Sequence, residues 1–285
     1  MTSRSEQAYL RHYGKDVYTG VGEVVDLGCF LGSLTLPLAE GLASNANFAG
    51  TGRKVRAYDT FRWITAMEMA VAGTALAGRF NVDDRFLDAF RSNVFPFESF
   101  IEAREGDLTL AKWSGEPIEF LVVDAMKSWE LANAILREFY FALEVGKSLV
   151  MHQDFAHFYT PWIHLLHWRF RDHFLVEHEV PRAGSLVFRY VNELSSEQLN
   201  KDYSFADFPD DEIDEAFDFS LSIVSDAKRP NIYSAKIMAY FHQDRLDDAQ
   251  ACLDLAIRSV GFQQDLVIVS EILDRQRTAT SGSAG

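Results

Sequence analysis

The chain has only two cysteines among its 285 residues, Cys29 and Cys252. Two thiols make no disulfide framework, so a reducing compartment such as the cytoplasm is the expected location. Basic residues are also scarce. Against 42 Asp and Glu there are 27 Lys and Arg, which leaves a formal charge of −15. Such a surface repels a phosphate backbone, and no run of basic residues offsets it, so nucleic acid is excluded as an expected partner. No apolar stretch approaches the roughly eighteen residues of a bilayer span. The opening MTSRSEQAYLRHYGKDVYTG lacks an apolar signal core, and no membrane partner is expected. What is plentiful is apolar bulk: 48% hydrophobic residues, 23 of them Phe, enough for a sizeable core.

Residues 23–27, 118–124 and 148–154 read as strands from their short apolar runs, and 54–59 and 101–107 read as two further short strands. Helical spacing occupies 32–43, 61–79 and 128–144 between them, and Thr160-Pro161 marks an N-cap and first position of another helix. FLVEHEV and SLVFRYV, joined by PRAG, read as a closing hairpin. This alternation predicts an α/β fold: a doubly wound, mostly parallel, seven-stranded Rossmann-like sheet with one antiparallel edge strand. Residues 21–195 would hold that domain, with 1–20 as an N-terminal lid or substrate segment. After residue 192 the chain turns acidic and aromatic, then helical, predicting a helical C-terminal subdomain over 196–275 and a frayed polar tail over 276–285. Within it, residues 231–261 resemble a single tetratricopeptide hairpin, too little on its own to bury its faces.

Ligands of open α/β sheets bind beyond the carboxyl ends of the strands. Asp26, Asp59, Asp107, Asp124 and Asp154 all fall at or just past such ends. The first strand runs into DLGCFLG. The turn has Gly28 and Gly32 but Phe30 where a dinucleotide fingerprint needs its middle glycine, and no Gly-Lys-Ser/Thr for a Walker loop. A ligand without a pyrophosphate is therefore expected.

The pattern D-x-G-x₃-G-x-x-T (Asp26 to Thr35), with Asp59 ending the second strand, resembles the class I S-adenosylmethionine-dependent methyltransferases over roughly residues 20–192. The resemblance implies that the turn passes under the amino-acid part of S-adenosylmethionine and that Asp59 binds its ribose hydroxyls. Asp26 would orient the turn, Asp107 would lie near the adenine, and Thr60, Phe61 and Asp124 would complete the cofactor set. The bulky Phe30 resembles the macrocin-type O-methyltransferases and cephalosporin-hydroxylase-like proteins, which implies a hydroxyl acceptor on a small molecule, with a sugar or glycoside favoured.

Asp124, Gln153 and Asp154 would meet at adjacent strand ends, and oxygen ligands there suit a hard cation. Metal-dependent O-methyltransferases of the catechol and macrocin types carry an acid after strand four and an acid pair, Asp-Asp or Asp-Asn, after strand five, so the resemblance implies Mg²⁺ at this set, with Gln153 as a departure. Asp124, His152 and His157 are the candidates for proton handling. Tyr13, Tyr18, Tyr159, Trp162 and His164 are candidates for the acceptor wall, and His164 and His167 read as a solvated or substrate-facing pair. A homodimer is a further expectation. Two other functions compete: a nicotinamide-dependent oxidoreductase on a similar fold, and a non-catalytic protein that binds a partner through residues 200–275.

Overall fold

A computed structural model of the chain describes residues 2–282. Met1 and residues 283–285, the last of the expected tail, lie outside the described residues. Seven strands form one sheet: β1 Glu23–Leu27, β2 Val55–Asp59, β3 Ile101–Glu105, β4 Ile118–Val123, β5 Leu149–His152, β6 Phe174–Glu179 and β7 Leu186–Tyr190. Their order is β3-β2-β1-β4-β5-β7-β6. Every pair from β3 to β5 is parallel, and β7 runs antiparallel to both of its neighbours. This is the doubly wound, Rossmann-like arrangement that the sequence predicts. One detail differs: the antiparallel strand lies one place in from the edge. Burial explains the order. Leu186, Val187, Phe188 and Tyr190 of β7 are buried, whereas Leu175 and Val176 of β6 are exposed, so β6 takes the edge.

The central strands β1 and β4 are buried at every position, as a parallel sheet covered on both faces requires. Helices α1 Arg4–His12, α2 Thr35–Ala43, α3 Thr65–Ala70, α4 Leu87–Val94, α5 Trp129–Phe139 and α6 Pro161–Arg169 surround it. Leu10, Leu38 and Phe90 from α1, α2 and α4 pack with Phe120, Val122 and Met151 on one face. Ile135 and Leu165 from α5 and α6 pack with Leu121 and Val150 on the other. The second core continues into α7 Ser196–Asn200, α8 Asp210–Ser222, α9 Arg229–Phe241, α10 Leu246–Val260 and α11 Gln264–Gly282, through Phe217, Ile237, Leu253 and Leu273.

Three local expectations are corrected. The helix expected over 61–79 is confined to α3, because turns follow it and both Gly73 and Gly78 take positive φ (74° and 71°). Residues 276–282 are not a frayed tail but the last turns of α11. Thr160 occupies the position before α6 without capping it; its hydroxyl donates to the Asp154 carbonyl at 2.9 Å and ties the loop after β5 together.

The N-terminal segment is fixed at the sheet's other end by one carboxylate. Glu119 of β4 accepts the N–H groups of Thr19, Gly20, Val21 and Gly22 at 2.5, 2.9, 2.8 and 3.3 Å, and the Thr19 hydroxyl at 3.0 Å. Charge-assisted bonds to a buried carboxylate are the stronger kind. Glu119→Ala leaves these donors without their acceptor and is expected to lower unfolding free energy by about 3 kcal/mol or more. Urea denaturation checks this, with Glu119→Gln falling between the two.

Candidate functional site

The glycine turn after β1 is shaped by two close approaches. Gly28 has φ +86°, and a Cβ there would lie 2.8 Å from the Asp124 carbonyl oxygen, so the ends of β1 and β4 meet at backbone distance only because the residue is glycine. Gly32, also at φ +86°, would place a Cβ 2.6 Å from Val94 of α4. Phe30 sits between them at φ +46°, its ring directed sideways onto Trp63 and Phe86 at centroid distances of 5.7 and 5.5 Å.

The N–H groups of Gly28, Cys29, Phe30 and Gly32 are committed to the protein. Gly28 and Cys29 both donate to the Tyr58 carbonyl (2.9 and 3.1 Å), Phe30 donates to Asp59 Oδ2 (2.9 Å), and Gly32 donates to the Cys29 carbonyl (2.8 Å). A phosphate-binding turn presents such groups to its ligand; this one turns these four to protein acceptors. Asp59 also accepts the Phe61 N–H at 2.8 Å. Burial raises the Asp59 pKa, and these two backbone bonds oppose the rise. Asp26 is fully buried. Its Oδ2 accepts the Thr35 hydroxyl at 2.6 Å, and its Oδ1 has no partner. Burial, with Asp124 and Asp59 adding to it, pushes the Asp26 pKa up to about 7.

Asp26, Gly28, Phe30, Gly32, Asp59 and Asp124 are thus brought together at the carboxyl ends of β1, β2 and β4, with Thr60 exposed beside Asp59. Phe61 is not available to a ligand: its ring is fully buried against Phe86 and Phe90. Asp107 sits two residues past β3 and folds its own turn, accepting the Thr109 N–H and hydroxyl, both at 2.8 Å.

Between β4 and β5 a residue that sequence reasoning missed takes the central place. Lys127, in the loop before α5, extends its ammonium between two of the three expected metal ligands. It donates to Asp124 Oδ1 at 2.8 Å and pairs with Asp154 Oδ2. Gln153 stands beside them. With its amide nitrogen turned toward the carboxylates it donates to Asp154 Oδ1 at 2.6 Å and Asp124 Oδ1 at 3.2 Å. In the other orientation its nitrogen lies 3.5 Å from Glu6 of α1. In that second orientation its oxygen is the atom that faces the two carboxylates. A divalent cation does not fit this set as it stands, since a fixed positive charge already bridges both carboxylates. Among the described residues, no group of three or more His, Cys, Asp and Glu is arranged to hold a metal.

The histidines divide. His152 points into the core, where Nε2 meets the Tyr140 hydroxyl at 2.9 Å. His164 and His167 are buried too, not solvated. His164 Nδ1 bonds Ser220 of α8 at 2.9 Å, and His167 stacks on Phe188 at 4.1 Å. Burial lowers all three pKa values, to about 3 for His152 and His164. Only His157 stands toward the strand ends. Burial lowers its pKa, Lys127 pushes the same way, and Asp265 of α11 and Asp124 oppose. Its Nδ1 accepts the Tyr159 N–H at 3.2 Å, so a neutral ring carries its proton on Nε2 and offers a donor there, not a base.

Of the expected acceptor wall, Tyr159 alone is exposed, at 47%. Tyr13 is buried with its ring on Phe120 (3.9 Å). Tyr18 is buried and donates to the Gly22 carbonyl at 2.8 Å. Trp162 is buried and donates to the Met126 carbonyl at 2.7 Å. Each is fixed by its own packing and hydrogen bonds and is removed from the site.

No protein-family model matches the chain, and no curated protein matches it. Among solved structures it is similar to the calicheamicin methyltransferase CalS11, with a TM-score of 0.46 and 18% identity over 66% of this chain and 78% of that one.

Two pH effects of opposite sign follow. The folded pKa of Asp26 lies above its unfolded value of 3.8, so its contribution is most favourable below pH 3.8 and is lost as pH rises through 7. Asp26→Asn keeps an acceptor for Thr35 and is expected to gain on the order of 2 kcal/mol or more at pH 8, measurable by urea unfolding at pH 5 and 8. The three buried histidines have folded values below 6.5; their contribution is complete above pH 6.5 and is lost as pH falls from there. His167→Phe, which preserves the stack on Phe188, should flatten stability against pH between 6.5 and 4.5 by about 1.4 kcal/mol per pH unit.

Proposed function

We propose that the chain is an S-adenosylmethionine-dependent methyltransferase that acts on a hydroxyl of a small molecule, with a sugar or glycoside the favoured acceptor. One observation carries the reading. The glycine turn gives the N–H groups of Gly28, Cys29, Phe30 and Gly32 to protein acceptors and is lined by the carboxylates of Asp26, Asp59 and Asp124. That combination repels a pyrophosphate and suits a ligand with positive charge, which a sulfonium carrying an ammonium group has. The same observation disfavours the nicotinamide-dependent oxidoreductase. The sugar preference is supported by the resemblance of the Phe30-bearing turn to macrocin-type enzymes, which is an analogy.

The donor, when bound, supplies a methyl group to the acceptor oxygen while the electron pair of the broken S–C bond stays on sulfur. The chain's own residues hold and orient. The turn from Gly28 to Gly32 and the unpaired Asp26 Oδ1 face the donor's amino-acid part. Asp59 fixes the turn through Phe30 and keeps lone pairs for the ribose hydroxyls. The acceptor proton passes to the carboxylates at the ends of β4 and β5, Asp124 and Asp154, and His157 Nε2–H holds the acceptor from the other side. Alignment of this kind contributes about 7–11 kcal/mol in well-oriented reactions.

Isothermal titration with S-adenosylhomocysteine and with NADH tests the reading. Micromolar binding of the first and none of the second is expected. Asp59→Ala, still folded by circular dichroism, should weaken that binding at least about ten-fold. Binding of NADH alone overturns the proposal.

A further inference from the structure

We propose that the Lys127 ammonium holds the place that a divalent cation would take between Asp124 and Asp154, and that its remaining N–H donates to the acceptor oxygen. The inference rests on the methyl-transfer reading for the acceptor but not for the lysine's place. An ammonium has three donors and no acceptor. Two of them are engaged by Asp124 Oδ1, at the end of β4, and Asp154 Oδ2, at the end of β5. The Lys127 side chain is 41% exposed while those of Asp124 and Asp154 are 24% and 13% exposed, so the carboxylates form the floor and the lysine reaches over them from the open side.

The neighbours agree with a resident cation rather than a bound one. Two carboxylates, Asp124 and Asp154, stand against the one ammonium, with the neutral Gln153 amide beside them. That amide faces acceptors on both sides, Glu6 in one direction and the Asp124–Asp154 pair in the other. The Thr160 hydroxyl on the Asp154 carbonyl at 2.9 Å holds the β5 loop in this register. A fixed positive charge beside the acceptor oxygen favours the charge that develops as the hydroxyl proton leaves, without a metal to recruit. The hydroxyl proton goes to a carboxylate.

The test is Mn²⁺ binding by electron paramagnetic resonance to wild type, Lys127→Ala and Lys127→Arg, with folding checked by thermal melting. The wild-type protein and Lys127→Arg should leave Mn²⁺ free in solution. Lys127→Ala should bind it at least about ten-fold more tightly, because a positive charge at contact distance has gone, and Asp154→Asn added to it should abolish that gain. Tight Mn²⁺ binding to the wild-type protein that Asp124→Asn removes overturns the proposal, and so does a Lys127→Ala protein that binds no better than wild type. S-adenosylhomocysteine titrated into the same samples separates the two ideas: no binding to the wild type overturns the methyl-transfer reading alone, while the Mn²⁺ comparison still decides what Lys127 replaces.

Discussion

Four carboxylates gathered at the ends of β1, β2, β4 and β5 are the constraint on which the site's construction depends. Like charges at such range, partly out of water, cannot all stand ionised without compensation. The chain compensates each differently. Asp26 is buried deepest and has its pKa raised to about 7, so much of its charge is removed at neutral pH. Asp59 remains a carboxylate acceptor because two backbone N–H groups aim at it. Asp124 and Asp154 share the ammonium of Lys127. The local backbone follows from these solutions: positive φ at Phe30 and Phe61 accompanies the two N–H bonds to Asp59, and Gly28 lets the β1 and β4 ends close on each other.

Much of the fold was legible because it is written in short-range pattern. Strands such as IEFLVV and EVVDL are unbroken apolar runs, and a parallel sheet buried on both faces needs that pattern. The acids were legible because strand ends were. Lys127 was not, because a lysine in an irregular loop has no periodicity, and its spacing of three from Asp124 was the one available signal. The histidines of α6 were misread for a different reason. HLLH at helical spacing looks like an outward pair until α8 is laid over it, and Ser220, the partner of His164, is 56 residues away in sequence. Tyr13 and Tyr18 failed similarly: aromatic residues near a terminus read as a wall, and only the stack on Phe120 and the bond to Gly22 show them as anchors.

The helical C-terminal region is more than an appendage to the sheet. Its core is continuous with the α5 and α6 face. Through α11 it also reaches the site, since Asp265 acts electrostatically on His157. Asn231 of α9 holds Asp265 by a 2.7 Å hydrogen bond. The residue that faces the acceptor side of the proposed reaction is therefore tuned by a segment more than a hundred residues further along the chain.

Asp26 is the residue that stability alone does not explain. It lies in a strand buried at every position, one oxygen is satisfied by Thr35, and the other faces no donor. An asparagine would accept from Thr35 as well and avoid burying an acid. A buried acid with a free oxygen, beside a turn whose Gly28, Cys29, Phe30 and Gly32 N–H groups bond other acceptors, is a poor core residue. Local rules broken without a structural gain are expected at functional sites. Here the break falls where the strand-end rule of α/β sheets places a ligand.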